Sequence, residues 1–141
     1  MPDLTKQELG YIAGMVDGEG CIKFTVPASY NGYKRTNYFI LTISNTNKES
    51  LTWIQSKLNC GNLYEETASP KHKRTKPCFI FRIASRLQIA LVLKALLPYL
   101  IIKKDKAKEC IIHTKLHPYR GYNELYIKKE VVPKCSETIC Q

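Results

Sequence analysis

The sequence predicts an α+β fold, with one antiparallel sheet whose inner face is covered by helices. Three features of the chain imply it. Helical and strand patterning follow one another as helix, strand, strand, helix, strand, strand, helix. Capping-box patterns of the S/T-x-x-E/Q type open each of the three helices in that series. The strands alternate apolar and polar residues, as in a sheet with one face packed and the other wet. The order reads as a duplicated helix-strand-strand block, although the residues themselves do not visibly repeat. At 141 residues the chain has room for one domain with a substantial core and too little for two. Residues 1–141 therefore read as a single domain, with a core over about 4–116 and a tail over 117–141.

The first helix starts at Leu4-Thr5-Lys6-Gln7-Glu8-Leu9. Thr5 is its N-cap, Glu8 completes the box, and Leu4 and Leu9 form a hydrophobic staple. Cys21 to Val26 alternates as a strand and pairs with Tyr38 to Ser44, across a polar loop with Asn31-Gly32 at a turn position. Thr46-Asn47-Lys48-Glu49 opens the second helix, whose apolar positions are Leu51, Ile54 and Leu58, and Gly61 closes it. Asn62 to Glu66 and Cys78 to Ile83 form a second strand pair, joined by the basic loop 67–77. Ser85-Arg86-Leu87-Gln88 opens the third helix, in which Ile89, Leu93, Leu96 and Leu97 build an apolar face until Pro98 stops it. A fourth helix over about 103–116 follows, and the tail carries a strand near 125–132.

The chain holds 22 Lys+Arg against 12 Asp+Glu, a formal net charge of +10. Such a balance suits a polyanionic partner, nucleic acid first and an anionic membrane surface second. The membrane loses ground because no apolar run approaches the roughly 20 residues that span a bilayer. The longest such run, 91–102, is broken by Lys94 and Pro98. Cys21, Cys60, Cys78, Cys110, Cys135 and Cys140 include no C-x-x-C pair, and the first residues carry no apolar signal region. A reduced intracellular compartment is expected, organellar or prokaryotic, with buried thiols instead of a disulfide scaffold. Zinc held by Cys135, Cys140 and a histidine is the minor alternative.

The most informative stretch is Ile12-Ala13-Gly14-Met15-Val16-Asp17-Gly18-Glu19-Gly20. Asp17 and Glu19 fall at the C-terminal end of the first helix, where the helix dipole repels carboxylates. A compensating cation is expected there, and a divalent metal is the natural candidate. Gly10, Gly14 and Gly18 stand four apart on one helix face, although interior glycine costs roughly 1 kcal/mol relative to alanine. With Ala13 beside them, they imply close approach of another backbone, either within the domain or from a second copy. The acidic pair at the end of the stripe favours the second copy.

These nine residues resemble the LAGLIDADG signature of the homing endonucleases, and the element order is similar to that family's core, from residue 4 to about 107. The resemblance implies an αββαββα core with an antiparallel DNA-binding sheet and C-terminal helices. It implies a site-specific, intron-associated homing endonuclease of the single-motif kind. One signature supplies half of an active site, so a homodimer is expected to bind a long, pseudo-palindromic double-stranded DNA site. It would cut both strands with Mg²⁺ or Mn²⁺. An intron RNA-splicing maturase, or a DNA-binding regulator that does not cleave, is the alternative on the same fold.

By position, the resemblance makes Glu19 the metal ligand, where the family more often has Asp, with the Gly18 carbonyl assisting. Gly10, Ala13, Gly14 and Asp17 are assigned to the dimer interface, Asp17 in a structural role. Pro98 to Ala107 is similar to the segment that delivers a basic residue to the active site, here Lys103. Ile43 to Asn47 offers Asn45 as a residue that positions water, or else as a plain helix-start asparagine. An arginine of the following helix has no counterpart, since Lys48 and Glu49 stand there, and His72, His113 and His117 lack any partner pattern.

Strand alternation places Phe24, Phe39, Leu41, Ile43, Phe79, Phe81 and Ile83 on the helix-covered face. The opposite face collects Lys23, Thr25, Tyr38, Ile40, Thr42, Asn62, Tyr64, Glu66, Ile80 and Arg82. Two loops extend it, one with Lys34, Arg35 and Asn37, the other with Lys71, His72, Lys73, Arg74 and Lys76. A sheet in the major groove reads base edges with such side chains, while loop lysines hold phosphates. RNA is a competitor, because Tyr38 and Tyr64 are also able to stack on bases.

Overall fold

Thr5 caps the first helix as its sequence requires: the Glu8 amide donates to Thr5 Oγ1 at 3.2 Å, and the Thr5 amide donates to Glu8 Oε2 at 2.8 Å. Leu4 and Leu9 both pack against the core. In the computed structural model, residues 3–28, 37–66 and 77–117 are described. Their elements are α1 (Lys6–Glu19), β1 (Gly20–Thr25), β2 (Tyr38–Asn45), α2 (Lys48–Leu58), β3 (Asn62–Glu66), β4 (Cys78–Ile83), α3 (Arg86–Leu96) and α4 (Lys104–Leu116). The expected order is observed through α4. The tail strand near 125–132 lies outside the described residues.

The strands form one antiparallel sheet in the order β1-β2-β4-β3. β2 and β4 are the inner strands, and their alternate residues Phe39, Leu41, Ile43, Phe79, Phe81 and Ile83 are buried under the helices. α1 contributes Ile12, Ala13 and Val16 to this core, α2 contributes Leu51, Ile54 and Leu58, and α3 contributes Ile89, Val92, Leu93 and Leu96. Among the described residues no polar or charged residue is buried, so the core is held by apolar packing alone. Truncating one fully buried aromatic such as Phe81 would cost about 3–5 kcal/mol.

Several local details differ from the sequence expectation. α2 is capped by Asn47, whose Oδ1 accepts from the Ser50 amide at 2.9 Å. Thr46 therefore lies one residue outside the helix. Asn47 wins because an Asn carbonyl reaches the N3 amide as well as a Thr hydroxyl does. α2 ends on Asn59 in the left-handed region (φ 49°), and Gly61 (φ 80°) makes the turn into β3. A side chain at Gly61 would also strike the Phe81 ring, 2.6 Å from the Cβ position. Ser85 occupies the N-cap of α3 but makes no side-chain cap bond. Phe24 points to the helix side but is 36% exposed, because β1 is an edge strand. Its ring rests on Phe39 and His113, with centroids at 5.0 and 5.2 Å.

Candidate functional site

The last turn of α1 carries Asp17, Gly18 and Glu19 with no basic residue among them. The chain runs straight from the helix into β1, and only glycine fits at the junction, since a Cβ on Gly20 would run into the Val16 carbonyl. Both acids are thereby fixed at the end of the sheet where Gly20 pairs with Ile43.

Asp17 is a clamp within the protomer. Its carboxylate accepts backbone N–H bonds from Ile101 (2.7 Å), Ile102 (3.2 Å) and Lys103 (2.9 Å). The Lys103 ammonium donates in turn to the Asp17 backbone carbonyl. Partial burial alone would raise the Asp17 pKa. The backbone bonds from Ile101, Lys103 and Ile102, with the Lys103 charge, outweigh it and hold the carboxyl below its ordinary value. Asp17 thus spends its carboxylate on its own chain, the structural role expected of it. One expectation is corrected: the cation at the helix end is Lys103, so the dipole by itself calls for no metal. Sequence spacing cannot show this, because the partners are 84 to 86 residues apart.

Glu19 is exposed, and among the described residues no hydrogen bond or ion pair engages it. α1 ends at Glu19, so the Gly18 carbonyl has no amide four residues on within the helix to bond to. One free carboxylate and one free carbonyl make an oxygen donor pair suited to a hard cation such as Mg²⁺. Among the described residues no three His, Cys, Asp or Glu side chains come together as a metal-holding group. A protomer thus offers part of such a site. Asn45 lies at the same end of the sheet, but its Oδ1 is used in the turn, accepting from the Asn47 amide at 2.8 Å.

The glycine stripe is open. A Cβ at Gly10, Gly14 or Gly18 would meet nothing within 4 Å, so among the described residues these glycines serve no packing inside the domain. Ala13 does not share that face: it is wholly buried in the protomer's own core, packed with Ile12 and Val16, and cannot line an interface between copies. Consecutive helical residues lie about 100° apart, which turns Ala13 away from the stripe.

The outer sheet face has the predicted composition, and the register arranges it in rows. Cys21, Thr42, Arg82 and Asn62 form one row across all strands; Ser44, Ile80 and Tyr64 form the next, nearer the Glu19 end. Lys23 stands opposite Ile40, Thr25 opposite Tyr38, and Glu66 opposite Cys78. Cys21, Ser44 and Cys78 were missed by the sequence reading, although strict alternation from Lys23, Thr42 and Ile80 reaches them. Asn37 directly precedes β2. Lys34, Arg35, Lys71, His72, Lys73, Arg74 and Lys76 lie outside the described residues. His113 packs against Phe24 and Phe39, at the opposite end of β1 from Glu19.

The four-stranded antiparallel sheet with its four helices matches the structures of homing endonucleases. The chain belongs to the LAGLIDADG endonuclease family, whose model matches residues 12–111. Among solved structures it is similar to the homing endonuclease I-CvuI in complex with the I-CreI target in the presence of Mg. That match has 26% identity and a TM-score of 0.65, covering 78% of this chain and 67% of that one. I-CvuI with its own target in the presence of Ca matches at 28% identity and a TM-score of 0.63, covering 77% and 66%. The homing endonuclease I-TnaI shares the fold at 20% identity and a TM-score of 0.59, covering 81% and 76%. The chain spans about two thirds of the length of the I-CvuI chains. No match is found among curated proteins.

Proposed function

We propose that this protein is a homing endonuclease that cuts both strands of a long, pseudo-palindromic DNA site as a homodimer with a divalent metal, Mg²⁺ in the first instance. The observation that carries the reading is the end of α1: an exposed Glu19 that no described residue engages, at the tip of a glycine stripe that no described residue covers. Two such helices packed stripe to stripe bring two Glu19 carboxylates to one axis, one for each strand. Glu19 and the Gly18 carbonyl would hold the metal, and the chemistry it would supply when bound is charge neutralisation at the scissile phosphate and activation of a water. Lys103, fixed by Asp17, sets a positive charge beside that point, where negative charge grows on the phosphate and the leaving oxygen. The basic outer face holds the duplex, as the DNA complexes of I-CvuI support by likeness. Intron encoding and a reduced intracellular compartment complete the proposal. Incubation with a randomised double-stranded DNA library and Mg²⁺, followed by sequencing of the cut ends, tests it: a single recurrent site is expected.

Two further results bear on assembly and DNA contact. Gly14→Leu should leave the protomer folded, because the Cβ position is open, while the added side chain blocks approach of a second helix. Sedimentation should then show a monomer where the wild type is a dimer. A wild type that stays monomeric with DNA present would remove the basis of the reading. Replacing Lys71, Lys73, Arg74 and Lys76 by alanine should flatten the dependence of log K on log salt, by roughly 0.9 for each phosphate that the loop ceases to neutralise. An unchanged slope would show that this loop does not meet DNA.

A further inference from the structure

Arg82 lies on the inner strand β4, between β2 and β3, in register with Thr42 on one side and Asn62 on the other. Neither neighbour is charged, so its row offers no ion-pair partner. Its Nε is buried and has no hydrogen-bond partner. A buried donor of a charged group left unpaired is costly, and guanidinium carries its donors in a planar fork that suits a paired acceptor. Ile80 stands two residues before it on β4, and Ile40 two residues before Thr42 on β2, both half-buried on the same face.

We propose that Arg82 reads a guanine in each half-site, taking its O6 and N7 with the guanidinium fork, and that Ile40 and Ile80 receive thymine methyl groups beside that guanine. The inference rests on the proposed placement of the outer sheet face in the major groove. Guanine is favoured over phosphate by position. Phosphates flank a groove-bound sheet and meet its edges and loops, whereas Arg82 is two strands from the β1 edge and covered by β3 on the other side. The apolar neighbours fit thymine methyls and give nothing to a phosphate. Among bases, guanine alone presents two acceptors side by side in the major groove; adenine replaces one of them with a donor.

The test compares sequences bound by wild type and by Arg82→Gln from a randomised double-stranded library, without metal so that binding is read apart from cleavage. Wild type should enrich guanine at one position per half-site, with thymine adjacent, by roughly fivefold to a hundredfold over the other bases. Arg82→Gln should move that single preference to adenine, whose N6 and N7 a glutamine amide matches, and leave the remaining positions unchanged. A uniform loss of affinity with an unchanged sequence pattern would place Arg82 on the phosphate backbone and overturn the proposal. So would a guanine position that does not respond to the substitution. A wild type that enriches no sequence at all would sink the endonuclease reading itself, and this inference with it.

Discussion

Glu19→Gln is expected to bind target DNA at least as tightly as the wild type and to cut it no longer. The side chain is exposed, and nothing among the described residues bonds to it, so the exchange disturbs no packing. Loss of its negative charge relieves repulsion at the C-terminal end of α1 and, in the proposed dimer on DNA, between the two copies and against the phosphates. The amide keeps the volume but is a poor donor to a hard cation. Cleavage should fall by at least roughly a hundredfold, since even the loss of an outer-shell partner costs a metal site 10–100-fold. The measurement is paired: retardation of labelled target without metal, and strand cleavage with Mg²⁺. A variant that cuts at the wild-type rate would show that Glu19 does not hold the metal.

Asp17→Ala should destabilise the protein and disable cleavage together, although Asp17 touches no substrate in the proposed reading. Its carboxylate holds three backbone amides, and bonds to a charged acceptor are worth more than neutral ones. Water partly replaces it at the exposed Ile101 and Ile102, so a loss of about 2–3 kcal/mol is expected rather than the full sum. Thermal unfolding reads that as a fall of roughly 8–15 °C in Tm. Asp17→Asn keeps one acceptor oxygen and should fall between. The clamp also sets a pH dependence. The folded pKa of Asp17 lies below its unfolded value, so the stabilisation is fully present above the ordinary carboxylate range and drains away as pH falls through the lowered value. Asp17→Ala should lack that acid-limb component. An Asp17→Ala protein with an unshifted melting curve would show that the amides find other partners.

The signature was legible because it breaks ordinary helix rules. Acids at a helix C-terminus and glycines on one helical face both oppose propensity. Such local conflict marks a site where something outside the helix compensates. The sheet face was legible for a different reason: period-two alternation fixes which residues share a face once the strands are placed. Lys23, Thr42, Asn62 and Arg82 were therefore found from the sequence, and the same rule reaches Ser44 and Cys21. The helix ends were less legible. Thr46 and Asn47 are both good caps, and one residue of sliding between them changes little in free energy. Ser85 shows that a capping pattern permits a side-chain bond without compelling it.

The sequence by itself determined the order of the elements, the two faces of the sheet and the acidic end of α1. Each follows from periodicity or from chemistry within a few residues. The tertiary structure alone decided what each member of the signature does. It turned Ala13 into the core, tied Asp17 to the segment before α4, and, among the described residues, left Gly10, Gly14 and Gly18 open and Glu19 unengaged. The Asp17 clamp depends on partners more than 80 residues away in the chain. Contacts at that separation arise only when the whole sheet and its helices pack, so no local pattern encodes them.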